Sequence, residues 1–368
     1  MKAYIFRGLP LSADSRTTRY GSIFKKIAYC TWEKKENSAS QGFETYSFPL
    51  PKDGGWTVIK YPLYLCYLFF FSLLKISRKD ICICMDLDTY VPVLAGSFFR
   101  GGKVVFDVVD PASQARFKKF PFTRALDFVE FFFIKRSYLS IFPSESRISY
   151  YKEKLDISEI NIRHLILENI PDFSTSETTD DIHTPSKRIT IGYFGTLDSS
   201  RGLDILIKFS IDNSHEVDLI LAGDGPLSPL AQETASINPN IKFLGKYSSQ
   251  QLEKLYKKID FSWMYYCPSI ELHKYAAPNK FYEHLCFETP VLTNEIIPQA
   301  DFINKNRTGI IIDKYIKNNR LEGSLIDEIK NFAPGNKLNK YWDQNYKNYY
   351  ENQSKIFRNA LNLNLEEI

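Results

Sequence analysis

Cysteine is scarce in this sequence and unpaired. Six stand at positions 30, 66, 82, 84, 267 and 286, none in a C-x-x-C spacing and most in apolar runs. That excludes the disulfide framework of a small secreted domain and reads as reduced core thiols of a cytosolic protein. Cys82 and Cys84 share one face of a strand, but no partner ligands accompany them. The five histidines, His164, His183, His215, His273 and His284, lack metal-ligand spacing, so no metal cofactor is expected. Long hydrophobic runs are missing as well. The longest, Tyr61 to Ile76, is about four residues short of a membrane span and leaves a buried or interfacial helix, with a core position preferred. Met1 to Phe6 is too short for the apolar part of a secretory signal and reads as a first strand. No internal repeat is visible, and no nucleic-acid partner is expected.

What is present is enough for two cores. A chain of 368 residues, 44% hydrophobic and 15% aromatic, exceeds the usual single-core size. Short apolar runs alternate with helical stretches, the pattern of an α/β protein with two Rossmann-like doubly wound domains. Strands are expected at Lys2 to Arg7, Phe43 to Phe48, Asp80 to Met85, Lys103 to Val109, Leu139 to Pro143 and Ile162 to Leu167. A second set falls at Ile189 to Phe194, Asp218 to Ala222, Ile241 to Leu244, Phe261 to Tyr265, Val291 to Thr293 and Gly309 to Ile312. Residues 174–187, S-T-S-E-T-T-D-D-I-H-T-P-S-K, have no hydrophobic period and read as a linker. The division is therefore 1–173, linker 174–187, 188–337, and a helical tail 338–368.

Charge is uneven between the halves. Residues 1–170 hold 25 Lys and Arg against 17 Asp and Glu, a net +8, and the remainder brings the whole chain to +4. The basic segment Arg116 to Arg124 precedes the aromatic run Phe128 to Phe133. Cations mixed with aromatics suit a lipid headgroup layer, so the first lobe is expected to rest on an anionic membrane face.

The segment around Ala276 to Thr293 carries the chemistry. A loop broken by Pro278 leads into a helix from Lys280, and Pro290-Val291-Leu292 begins a strand. Unpaired N–H groups and the positive end of the helix dipole attract anions, and Lys280 adds a charge there. Glu283, one turn on, is placed to accept from a sugar diol.

P-N-K-F-Y-E-H-L-C-F-E-T-P-V-L resembles the nucleotide-sugar site of family-4 retaining glycosyltransferases of the bacterial surface-polysaccharide type. Those enzymes have the GT-B fold, two Rossmann-like domains facing a central cleft. I-T-I-G-Y-F-G-T-L-D-S-S-R-G-L-D-I-L at Ile189 to Leu206, L-I-L-A-G-D-G-P at Leu219 to Pro226 and I-K-F-L-G-K-Y at Ile241 to Tyr247 follow the family in order and spacing. The resemblance covers about Lys187 to Asp313 and implies transfer of a sugar from a nucleotide-diphosphate sugar to a hydroxyl of a glycan or polyprenyl-linked oligosaccharide. It implies Gly195, Thr196, Arg201, Gly223, Tyr275, Ala276, Ala277, Asn279, Lys280 and Glu283 on the donor side. Gly8, Arg16 and Asp88 fall on the acceptor side. Arg201 and Lys280 would steady the departing diphosphate in place of a metal. The setting implied is O-antigen or capsule assembly at the inner face of the cytoplasmic membrane, with the tail crossing back to the first domain.

Two positions depart from the family. Its first motif glutamate falls on Tyr275, leaving either the Tyr275 hydroxyl or Glu271, four residues earlier, to take that part. Its first-lobe histidine is replaced in V-V-F-D-V-V-D-P by Asp107 and Asp110, of which Asp110 is the candidate to accept the acceptor hydroxyl proton or to stabilise developing positive charge. Asp86-Leu87-Asp88 spells the D-x-D of another transferase fold, yet it follows a first-lobe strand, away from the donor segments. A catalytically inactive partner subunit and a nucleotide-sugar epimerase are the other readings.

Overall fold

The structure, a computed structural model, describes residues 1–11, 15–32, 43–50, 57–115, 117, 121–171 and 188–363. It divides into two compact units, Met1–Asn169 with Asn348–Ile368, and Ile170–Lys347. The expected linker 174–187 lies outside the described residues, as do Arg116, Lys118 and Lys119 of the basic segment.

The first unit is built on a parallel sheet of seven strands: β1 Ala3–Arg7, β2 Ile27–Thr31, β3 Glu44–Ser47, β4 Ile81–Met85, β5 Lys103–Asp107, β6 Leu139–Phe142 and β7 His164–Ile166. Their order is β3-β2-β1-β4-β5-β6-β7, which is doubly wound and reverses direction between β1 and β4. Central strands such as A-Y-I-F-R and I-C-I-C-M are buried at every residue, as a parallel sheet covered on both faces requires. The sequence reading omitted β2, whose short apolar I-A-Y-C-T is not distinguishable by periodicity from a helical piece. Consequently Asp86-Leu87-Asp88 follows the fourth strand and not the third.

Among the described residues six helices connect these strands: α1 Ser15–Arg19, α2 Thr57–Lys75, α3 Leu87–Phe98, α4 Ala112–Ala115, α5 Thr123–Arg136 and α6 Glu145–Leu155. Right-handed crossovers put α2, α3, α5 and α6 on one face of the sheet. A further helix, Tyr349–Leu361, also belongs to this unit. Its Phe357 packs edge-on against Tyr20 and Phe24, at 6.3 and 5.9 Å between ring centres, and the Glu168 N–H donates to the Tyr349 hydroxyl at 2.6 Å.

The second unit has a parallel sheet of six strands: β8 Ile189–Phe194, β9 Val217–Ala222, β10 Ile241–Phe243, β11 Phe261–Met264, β12 Val291–Thr293 and β13 Gly309–Ile311. The order β10-β9-β8-β11-β12-β13 reverses between β8 and β11. Helices α7 Leu203–Asp212, α8 Ser228–Ile237, α9 Leu252–Tyr256, α10 Asn279–Cys286, α11 Ala300–Asn306, α12 Leu325–Lys330 and α13 Leu338–Asn345 accompany it. The stretch 338–345 thus stays with the second unit. Trp263, Leu219, Leu206 and Leu292 centre its core, all fully buried.

Candidate active site

In a doubly wound sheet, ligands bind beyond the carboxyl ends of the strands where the order reverses. In the second unit that point lies between β8 and β11, and the loops leaving these two strands carry Gly195, Thr196, Arg201 and the run up to α10.

Gly223, after β9, lies directly against the backbone of Gly195. A Cβ there would stand 1.8 Å from the Gly195 carbonyl oxygen, and its φ of +139° disfavours any side chain, so only glycine fits. The Gly195 N–H donates to Ala222 O at 2.9 Å, and the Tyr193 hydroxyl donates to Thr196 O at 2.7 Å. Thr196 itself is exposed.

Lys280 enters this turn from α10. Its ammonium donates to the Phe194 carbonyl, lies 4.7 Å from the centre of the Tyr193 ring and stands 4.0 Å from Glu283. Burial pulls its pKa down, Glu283 pushes it back up, and the neighbouring charge of Arg201 lowers it further. A cation held in this way gains when an anion arrives. The first turn of α10 supplies none: the N-cap is Pro278, with no side-chain cap, and no acid stands before Glu283.

Arg201 closes the short turn Ser199–Arg201, which Asp198 caps by accepting from the Ser200 N–H at 2.8 Å. Trp263 Nε1 donates to the Arg201 carbonyl at 2.8 Å. The guanidinium lies 4.1 Å from the centre of the Tyr266 ring, and its Nη1 is buried without a hydrogen-bond partner among the described residues. Tyr266 is fixed by Asn294, which accepts from the Tyr266 N–H at 3.1 Å and donates to its carbonyl at 2.7 Å. A buried donor with no partner among the described residues, next to a desolvated lysine, makes a position where an anion would be favourable.

The structure therefore brings Arg201, Lys280 and Glu283 together. Glu283 is more enclosed than a diol-binding carboxylate needs to be: it is buried, and its Oε2 accepts from the Tyr256 hydroxyl at 2.8 Å while facing Lys280. Tyr275 is buried at the end of the turn Glu271–Tyr275, whereas Glu271 is exposed. Ala276 is buried, and Ala277 and Asn279 are half-buried beside it. The sequence reading missed Tyr266 and Asn294, although the aromatic cluster F-S-W-M-Y-Y at the end of β11 was a usable signal.

In the first unit the reversal lies between β1 and β4, and Gly8 and Asp88 follow those two strands. Arg7 pairs with Asp86 directly across it. Asp86 takes a positive φ of 71° there, a costly conformation for a residue with a Cβ. Arg16, expected on the acceptor side, is buried and spent internally. Its Nε and Nη2 donate to Asp107 at 2.9 and 2.7 Å, and Nη1 donates to Leu167 O at 2.7 Å. The Tyr20 hydroxyl completes the set by donating to Asp107 at 2.7 Å, so neither Arg16 nor Asp107 is presented to a substrate. Asp110 is half open to solvent and paired with Arg147 at 3.1 Å. Asp88 accepts from the Tyr61 hydroxyl at 3.1 Å.

Residues 188–327 match the family model of Glycosyl transferases group 1. No curated protein matches the chain. Among solved structures, HepE of Anabaena in complex with UDP and glucose is similar at 12% identity and a TM-score of 0.68, covering 98% of this chain and 100% of that one. Sucrose-phosphate synthase from Thermosynechococcus elongatus is similar at 10% identity and 0.72, over 98% and 100%. WaaG, a glycosyltransferase involved in lipopolysaccharide biosynthesis, is similar at 13% and 0.64, over 97% and 99%. The chain thus has the GT-B fold, and its second unit carries the domain matched by the Glycosyl transferases group 1 model, which contains the cation site.

Proposed function

We propose that this chain transfers a sugar from a nucleotide-diphosphate sugar to a hydroxyl of a glycan or lipid-linked oligosaccharide, with retention of configuration. The observation that carries this reading is the pair Arg201 and Lys280 at the β8–β11 reversal, one with an open buried donor and the other with a pKa lowered by burial. Departure of the diphosphate is the difficult step. Preorganised cations and the α10 amides stabilise the charge that develops on it, worth about 3–4 kcal/mol per strong donor. In this reading the two side chains do the work that a divalent metal does in other transferases, and activity survives chelators.

Asp110 is our candidate to receive the acceptor proton, since it is the exposed member of the Asp107/Asp110 pair. The acceptor is of the surface-polysaccharide class, with the first unit seated on the inner face of the cytoplasmic membrane. UDP is the first nucleotide to try, because HepE was crystallised with UDP and with UDP-glucose.

The test is a thermal-shift screen of UDP, GDP, dTDP and CMP, followed by turnover of the sugar nucleotide that the stabilising base names. Arg201→Ala is expected to lower turnover by about 10²–10³ while changing nucleotide affinity less. Failure of every nucleotide to stabilise the protein refutes the reading. Release of an isomerised nucleotide sugar without acceptor assigns an epimerase instead.

A further inference from the structure

The helix face of the first unit is unlike the rest of the surface. Along α2 the buried side carries Tyr64, Leu68 and Phe71, and the opposite side exposes Ile59, Leu63, Phe70 and Leu74, spaced as one stripe down the helix. The core position preferred from sequence thus holds for half of this helix only. Gly96 lets α3 pack against α2 at close range, since a Cβ there would stand 2.4 Å from the Phe69 carbonyl oxygen. That packing places the end of α3 beside the end of α2. Phe98 and Phe99 are 79% and 74% exposed, and Leu74 is 71% exposed. Leaving all three side chains in water is costly for a monomer.

On α5, Phe128, Val129 and Phe132 are also exposed, and Tyr90 of α3 meets Phe133 edge-on at 5.9 Å, joining the two helices in one layer.

On the outer side of α2, α3 and α5 the exposed charge has one sign. Lys75, Arg78, Lys79 and Arg100 are exposed around Leu74, Phe98 and Phe99, and the Arg100 Nε donates to the Ile76 carbonyl at 3.0 Å. Arg124, Lys135 and Arg136 are exposed on α5, with the Arg136 guanidinium 4.0 Å from the centre of the Phe132 ring. The described residues of α2 include no acid. Asp88 on α3 is half-buried under Tyr61, and on α5 Asp127 and Glu130 are both buried. Exposed carboxylates are therefore absent from the described residues of these three helices.

We infer that the outer face of α2, α3 and α5 is the surface on which this chain docks to an anionic lipid bilayer, with Leu74, Phe98 and Phe99 entering the headgroup layer. The inference rests on the membrane seating proposed above and adds this face to the segment Arg116 to Arg124. Apolar tips ringed by cations match a negatively charged interface. A second copy of the chain is a poorer occupant, because a two-fold contact would set this cationic rim against itself.

The test is flotation of the full chain with phosphatidylcholine vesicles, with and without phosphatidylglycerol. The parent protein and the variant Leu74→Ser/Phe98→Ser/Phe99→Ser are compared, with thermal midpoint and nucleotide response checked in both. We expect binding to the anionic vesicles only, and a loss of about tenfold or more in the variant with nucleotide response intact. Equal flotation of both proteins overturns this face while leaving membrane seating in place. Absence of flotation by the parent overturns seating itself, and the nucleotide response then shows separately whether the donor reading stands. A parent dimer that the variant breaks would assign the face to a second copy and overturn the inference.

Discussion

The two units share a topology and use charge in opposite ways at the same place. In the first unit three arginines near the carboxyl ends of the strands each pair with a carboxylate: Arg7 with Asp86, Arg16 with Asp107, and Arg147 with Asp110. At the reversal of the second sheet, among the described residues, Lys280 has one carboxylate in ion-pair range, Glu283 at 4.0 Å and already bonded to Tyr256, and Arg201 has none. The first arrangement balances its charges internally, and the second leaves cationic charge in excess. The difference teaches that the doubly wound frame supplies a place for a site, while the surplus of one charge decides whether an anion goes there.

The largest effect expected from breaking this contrast is on stability. Asp107→Ala leaves Arg16 buried without its carboxylate and should cost about 3–5 kcal/mol, read as a drop of roughly 10 °C in the thermal midpoint. Lys280→Met takes away a cation whose own surroundings disfavour its charge, so it should change the midpoint little and weaken nucleotide binding instead. If Lys280→Met destabilises the protein as much as Asp107→Ala, the lysine is structural and the contrast fails.

Titration separates the units a second way. In the first, burial lifts the carboxyl of Glu130 to about 8, against the opposing bonds from Tyr151 and the Ala112 N–H. In the second, burial lowers the imidazole of His284 to about 4. Folded Glu130 binds its proton more tightly than the unfolded chain does. Its contribution is complete below the ordinary carboxyl range and is lost as pH rises toward 8. Folded His284 binds its proton less tightly, so its contribution is present above the usual 6.5 and is lost as pH falls toward 4.

Each loss should amount to about 1.5–2 kcal/mol over one and a half pH units, measured by urea unfolding upward from pH 6.5 for Glu130 and downward for His284. Glu130→Gln should flatten the alkaline limb alone, and His284→Leu the acid limb alone. A variant that flattens both limbs, or neither, breaks the assignment.

Much of the fold was legible because buried parallel strands are written as short apolar runs, and both sheets are of that kind. Ile189–Phe194 and Val291–Thr293 coincide with their expected limits for this reason. The clustering of Arg201, Lys280 and Glu283 was legible because Lys280 and Glu283 lie on one short helix and Arg201 follows one glycine turn, so local spacing carries their geometry. Arg16 was not legible as an internal residue. Its carboxylate partner is 91 positions away, and the sequence gives no distance between them. The outer stripe of α2 was hidden for a different cause. Its apolar residues run around the whole helix, so composition cannot tell the side that packs on the sheet from the side left in solvent.

Tyr266 and Asn294 show the same limit at the site itself, and they give the smallest effect and the sharpest test. They stand 28 positions apart, and the pairing of β11 with β12 brings them together. Asn294 then holds the Tyr266 backbone by both its N–H and its carbonyl, as another strand residue would. What this fixes is the ring under Arg201, at 4.1 Å. A cation over an aromatic face is worth about 1 kcal/mol, so Tyr266→Leu should lower turnover roughly fivefold, and Tyr266→Phe, which keeps the ring, should lose little. A ring that acts by steadying the guanidinium has nothing to steady once Arg201 is gone. Adding Tyr266→Leu to an Arg201→Ala background should therefore have no effect on turnover, and an undiminished loss of about fivefold there would show that the ring serves the substrate and not the arginine.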